Sequence, residues 1–144
     1  MHPLSLGRSA NLSQLLRTTV EEAVRRQLVS DRPVGIYLSG GIDSSSVLHA
    51  VSQNHSKIDT FSVGFDLGKD QEPEKFNADF LLARKTARHY NTSHHEVLVG
   101  AKEVPELLSR AAWQCDDPVS NPTSLAMLRL AKEAKKTVAV SLGG

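Results

Sequence analysis

An α/β fold, a parallel sheet flanked by helices on both faces, is what this 144-residue sequence predicts. Three observations carry it. Strand-length runs alternate with helical stripes along the chain, the first of those runs, Val34 to Ser39, is almost wholly apolar without polar alternation, and it enters a helix through Gly40-Gly41. A sheet of this kind binds ligands beyond the carboxyl ends of its strands, which is where Gly40-Gly41 falls.

Leu12, Leu15, Leu16, Val20, Ala23, Val24 and Leu28 recur at steps of three and four, which predicts a helix over 11–28 with this face buried and Asn11 as its N-cap. Glu21 with Arg25 and Glu22 with Arg26 are i,i+4 pairs on the solvated face, and residues 1–10 are expected to be loose. Val34 to Ser39 reads as the first strand, and Ser45, Val47, Leu48, Ala50 and Val51 as a helix running from Asp43 to near Asn54. Ile58 to Phe65 is the second strand. A polar loop through Asp70 and Pro73 follows, then a helix with Phe76, Phe80, Ala83, Ala87 and Tyr90 on one face, then a third strand from His94 to Val99. Pro105 opens a helix through Leu107, Leu108, Ala111 and Ala112, Leu125 to Lys135 forms another, and Thr137 to Ser141 returns to strand.

The bulk composition narrows the function. Apolar residues make up 40% and charged residues 23%, which is globular, and there is no run of about 18 apolar residues to span a bilayer. Lys and Arg number 17 against 16 Asp and Glu, so there is no basic field to attract nucleic acid, and a small-molecule ligand fits better. The single Cys115 cannot form an internal disulfide, and no Cys or His pair has zinc-site spacing, which suits a reducing cytoplasm. Met1 to Arg8 has no signal-peptide pattern, which argues against export.

Ser39-Gly40-Gly41-Ile42-Asp43-Ser44-Ser45 gathers the requirements of a phosphate site at a strand-to-helix turn. Gly40 and Gly41 let the backbone turn sharply and bring its N–H groups close to an anion, while the helix beginning near Asp43 adds unpaired donors and a positive dipole end. Ser39, Ser44 and Ser45 offer hydroxyl donors, and Asp43 can hold a magnesium ion that neutralises a pyrophosphate leaving group. The plainer alternative is a Gly-Gly turn with Asp43 as a helix cap. Neither a Walker-type loop nor Gly-x-Gly-x-x-Gly is present.

Ser39-Gly40-Gly41-Ile42-Asp43-Ser44 resembles the PP-loop of the N-type ATP pyrophosphatases, with their adenine nucleotide alpha hydrolase-like fold. The preceding run from Glu22 to Gly35 is similar to that of asparagine synthetases and unlike that of GMP and NAD synthetases. Thr60-Phe61-Ser62-Val63-Gly64-Phe65, His94-His95-Glu96-Val97, Asp116-Asp117-Pro118 and Asn121-Pro122-Thr123-Ser124-Leu125-Ala126 match the same family, so residues 11–144 are expected to form part of an asparagine synthase domain. The resemblance implies that the backbones of Leu38 and Val63 hold adenine, and that Asp43, as catalytic residue, binds magnesium beside ATP. It also implies that Val138 to Gly144, with Ser141 and Gly143, brings further phosphate contacts. The implied reaction is ATP-dependent synthesis of asparagine through a β-aspartyl-AMP intermediate, with ammonia from a glutaminase domain and no covalent nucleophile. A homodimer of the full-length protein is compatible with it.

Two departures qualify this. The family's amidotransferases begin with a cysteine nucleophile where this chain has Met1-His2, and the family continues past the Gly143-Gly144 loop with an Asp-Glu pair. The chain is therefore expected to be a truncated front part that binds nucleotide weakly and makes no asparagine alone. Leu142 or Gly143 also replaces an acidic residue that many members carry in that loop. Rival readings are an amidotransferase domain acting on another carboxylate and an inactive nucleotide-binding fragment. Cys115 and Trp113 are expected to pack in the core, adjacent His94 and His95 to point to opposite sheet faces, one packed and one exposed, and Asp116-Asp117 to face aspartate or magnesium or to form a turn.

Overall fold

The computed structural model describes residues 6–68, 76–115 and 123–144. In chain order these form α1 (Leu6–Gln27), β1 (Val34–Tyr37), α2 (Ile42–Ser52), β2 (Asp59–Asp66), α3 (Ala78–His89), β3 (Ser93–Gly100), a 3-10 turn (Ala101–Glu103), α4 (Val104–Cys115), α5 (Thr123–Ala134) and β4 (Val140–Leu142). Helix α1 starts at Leu6, so Asn11 lies inside it and does not cap it. Residues 1–5 of the segment expected to be loose, Asp70 and Pro73 of the polar loop, Asp116-Asp117 and the Cys115 side chain lie outside the described residues.

All three strand pairings are parallel, and the order is β3-β2-β1-β4. The chain steps outward from β1 to β2 to β3, then crosses back to add β4 on the other side of β1. That reversal opens a crevice between the carboxyl ends of β1 and β4, where the connections leave in opposite directions.

Two apolar layers hold the sheet. Ile36, Leu38 and Leu142 face Val24 of α1, Leu48 and Val51 of α2 and Ala83 and Ala87 of α3, while Phe61 and Val97 face Leu130 and Ala134 of α5 with Val138. Helices thus cover both faces, as the unbroken apolar run of the first strand requires. Phe61, Ile36, Leu38 and Leu48 are the largest fully buried side chains.

Three apolar expectations fail for a geometric reason. Leu12, Leu15 and Leu16 are 65%, 61% and 66% exposed, because α1 has 22 residues and its partner α2 only 11. At 1.5 Å per residue α1 overshoots α2 by about 16 Å. Trp113 is 84% exposed, since the buried stripe of α4 runs through Leu107 and Ala111 and position 113 lies about 200° further round the helix. Phe76, ahead of α3, is also exposed, while Phe80, Ala83 and Ala87 are buried.

His94 and His95 do point to opposite faces. His95 stacks on Phe61, ring centroids 4.7 Å apart, and meets Asp59 Oδ1 at 2.8 Å. His94 sits under α3 between Thr60 Oγ1 at 2.8 Å and Ser62 Oγ at 3.0 Å. Its side chain is 11% exposed against 34% for His95, so the expected contrast of packed and exposed is one of degree. Burial pushes the His94 imidazole below its usual range; Glu96 opposes this, and His95 and Arg84 reinforce it. Glu96 is held below the usual carboxylate range by its hydrogen bond from Arg84.

Folded His94 takes a proton less readily than unfolded histidine, whose value is 6.5, so the unfolded chain binds more protons as pH drops through that value. Its contribution is full above that window and lost on acidification, and Glu96 acts in the same direction below 4.5. The thermal midpoint is therefore expected to fall between about pH 7.5 and about pH 5.5, and His94→Gln, which keeps an amide donor and acceptor, to remove most of that fall. An equal fall in the variant would assign the titration to another group.

Candidate functional site

The site begins where β1 runs out. Its last register partner is Tyr37 with Phe61, one further bond runs from Leu38 N–H to the Phe61 carbonyl at 2.8 Å, and the chain then turns into α2. Strand β2 continues to Asp66, so its last residues border an open crevice.

Gly40 makes the turn. Its φ of +83° belongs to the left-handed region, and a Cβ there would lie 2.5 Å from the Asp79 carbonyl oxygen and 2.7 Å from Ala83 N. The loop therefore rests directly on the backbone of α3. Within the loop, Ser44 Oγ lies 2.9 Å from Ser39 Oγ and 3.2 Å from Ser39 N and donates to the Gly41 carbonyl at 3.3 Å, while Gly41 N–H donates to Ser39 Oγ at 3.3 Å. The Ser44 hydroxyl is thus spent on holding the loop, with the residue 1% exposed, which leaves phosphate contact to the loop's N–H groups and to Ser39 and Ser45.

The N-cap of α2 is Gly41, and no side chain makes a cap bond there. Asp43 lies in the first turn and is exposed, so the cap reading of Asp43 loses its geometry. Gly144 presses on the same helix end: a Cβ on it would lie 2.6 Å from Ser44 N and from Asp43 C.

Two spaces meet at Gly144. A crevice of ≈ 360 Å³ is lined by Leu38, Ser39, Val63, Asn77, Phe80 and Gly143 among others, and a groove of ≈ 640 Å³ between α1 and α2 is lined by Ile42, Asp43, Ser45 and Tyr90 among others. The structure thus gathers Leu38, Ser39, Val63 and Gly143 in one crevice and sets Asp43 and Ser45 just across the loop. Ser141 stands apart from both, because it pairs with Gly35 in mid-sheet, about 10 Å back along the strand from the level of Leu38.

Among the described residues no Lys or Arg lines the crevice, and Asp79 adds an acid to it. A polyphosphate there meets N–H dipoles and carboxylates, so its charge calls for a cation with oxygen ligands. Among the described residues no three His, Cys, Asp or Glu side chains cluster as a metal cage. One or two carboxylates completed by phosphate oxygens is how magnesium is usually held, and Asp43 fits that set. Asn77 and Asp79 escaped the sequence reading: they alternate with Phe76, Ala78 and Phe80 at a helix start, and only the packing of α3 on Gly40 brings them to the site.

Residues 15–144 match the asparagine synthase family. An asparagine synthetase [glutamine-hydrolyzing] 1 of Bacillus subtilis (strain 168) is 33% identical over 129 residues, covering 90% of this chain and 19% of that protein. A putative asparagine synthetase [glutamine-hydrolyzing] 2 of Methanocaldococcus jannaschii is 30% identical over 125 residues, covering 85% and 23%. The asparagine synthetase of Bos taurus is 30% identical over 129 residues, covering 84% and 21%. The chain spans about a fifth of the length of these relatives. Among solved structures, an NH3-dependent NAD synthetase from Campylobacter jejuni, in complex with the nitrate ion, superimposes with a TM-score of 0.55 at 14% identity, over 89% of this chain and 54% of that one.

Gly40→Ala is expected to lose roughly 1–3 kcal/mol of unfolding free energy from its backbone angle and a further amount from collision with α3. Gly68→Ala is the control, since Gly68 has φ +73° but nothing within 4 Å of its Cβ position. Urea denaturation giving equal losses for the two would remove the loop-to-α3 contact from the account.

Proposed function

Because the chain belongs to the asparagine synthase family and has the PP-loop fold, we propose that it is the nucleotide-binding part of a synthetase that activates aspartate with ATP. The observation that carries this is the glycine loop set on α3 at the N-terminus of α2, beside a crevice with no basic side chain among the described residues. Dipoles placed where charge develops, rather than a nucleophile, are what such a site offers.

In this reading adenine lies between the ends of β1 and β2, against the peptides of Leu38 and Val63, and the polyphosphate crosses the loop toward α2. An oxygen of the aspartate side-chain carboxylate attacks the α-phosphorus, the bond to the β-phosphate oxygen breaks, and pyrophosphate leaves. Ammonia, from a glutaminase domain, then attacks the acyl carbon of β-aspartyl-AMP; AMP departs and the nitrogen sheds a proton to give asparagine; the relatives are named as glutamine-hydrolyzing. Gly40 gives the loop its shape, the backbone N–H groups at the start of α2 and the hydroxyls of Ser39 and Ser45 hold phosphate oxygens, and Asp43 would hold magnesium. Bound there, magnesium would supply neutralisation of the pyrophosphate charge.

Calorimetric titration with ATP is expected to show binding that requires magnesium and that Asp43→Asn weakens about tenfold, the scale of one charge-assisted contact. Asp31→Asn, an exposed acid at the opposite end of the sheet, should change it less than about twofold. Equal effects of the two substitutions would return Asp43 to an ordinary surface acid.

A further inference from the structure

Asn77 occupies the N-cap position of α3, yet its side chain makes no cap hydrogen bond. Asparagine is favoured at that position because its carbonyl oxygen can accept from the first-turn amides, so its use elsewhere has to be accounted for. The residue is only 9% exposed. Its Oδ1 accepts from the Phe65 N–H at 2.9 Å, and its Nδ2 donates to the Phe65 carbonyl at 2.9 Å. One side chain thus supplies both bonds that a neighbouring strand would give to Phe65.

The direction of those bonds matters. Leu38 N–H reaches the Phe61 carbonyl on the β1 side, while Ser93 N–H reaches the Ile58 carbonyl on the β3 side at 2.9 Å. Peptide groups alternate sides along a strand, so those of Val63 and Phe65 point as Phe61 does, toward the space beyond the end of β1. Asn77 takes the Phe65 pair. The Val63 pair borders the crevice, in which Val63 and Asn77 are both lining residues.

We propose that Asn77 is a positioning residue that sets where the base of the nucleotide docks on β2. The inference rests on the nucleotide reading above. An adenine edge offers an acceptor at N1 beside a donor at N6, and any unpaired strand peptide can satisfy both. Val63 and Phe65 lie two residues apart, about 6.6 Å along the strand, so a base docked on Phe65 would draw its phosphates away from α2 by a similar distance. By occupying Phe65, Asn77 leaves Val63 as the peptide whose docked base lets the phosphates reach the loop. Gly64 allows the carboxamide to sit this close, since a Cβ on it would come within 3.0 Å of both Asn77 Oδ1 and Phe80 Cγ.

The test compares AMP with magnesium tripolyphosphate, binding by calorimetry to the 144-residue chain, to Asn77→Leu, which has similar bulk and neither bond, and to Asn77→Asp, which keeps the acceptor for Phe65 N–H. Those two bonds also hold the end of β2 in the shape that presents the Val63 peptide, so their loss is expected to lower AMP affinity about tenfold for Leu and about threefold for Asp, the scale of one to two hydrogen bonds, with tripolyphosphate within about twofold in both. A merely structural role would weaken the two ligands together, and that result, or unchanged AMP affinity, overturns the proposal. Should circular dichroism show Asn77→Leu unfolded, Asn77→Asp carries the same comparison. A parent chain that binds neither ligand overturns the nucleotide reading and this inference with it. A parent that binds both, matched by its variants, overturns this inference alone.

Discussion

Backbone contact between Gly40 and the first turns of α3 is the constraint on which the site depends. Strand β1 stops pairing at Tyr37, and the chain can leave it so abruptly because Gly40 adopts a left-handed angle with no side chain between it and the Asp79 carbonyl. That turn carries the chain into α2, whose first residues line the groove across the loop from the crevice. It also leaves the β1 side of β2 without a strand partner beyond Phe61, which is what exposes the peptide of Val63. Helix α3 serves both ends at once, pressing on the loop through Asp79 and Ala83 and on β2 through Asn77 and Phe80.

The order of the strands explains why the loop after β1 is the place for a ligand. With β2 on one side and β4 on the other, the connections at the carboxyl edge diverge, and Gly143 and Gly144 at the end of β4 come back against the start of α2. Strand-end peptides, a helix N-terminus and the acid Asp43 therefore meet within one region, although they come from segments about 100 residues apart in sequence.

Much of this was legible in the sequence. The first strand showed itself because residues buried on both faces leave an unbroken apolar run, and the loop did because a glycine pair, serines and an acid converge at a strand-to-helix junction. Burial along the helices was less legible. Leu12, Leu15, Leu16 and Trp113 fit helical stripes or core composition, but whether such a stripe is covered depends on the length and placement of its partner, which periodicity does not encode. Ser141 carried a family expectation of phosphate contact, whereas the register with Gly35 sets it back from the edge. Asn77 and Asp79 had no local signature at all: a polar residue near a helix start looks like a cap until the neighbouring strand is in place.

The central claim is that one edge of the sheet, at the ends of β1 and β2, receives the nucleotide. Amide chemical-shift mapping of the isotope-labelled chain during titration with magnesium ATP tests it most directly. The account predicts shifts concentrated at Gly41, Asp43, Ser44, Val63 and Gly143, with Ser141 and the far groove around Arg88, Thr92 and His94 little changed. Binding accompanied by shifts centred on that far groove, with Val63 and Gly41 silent, would contradict it.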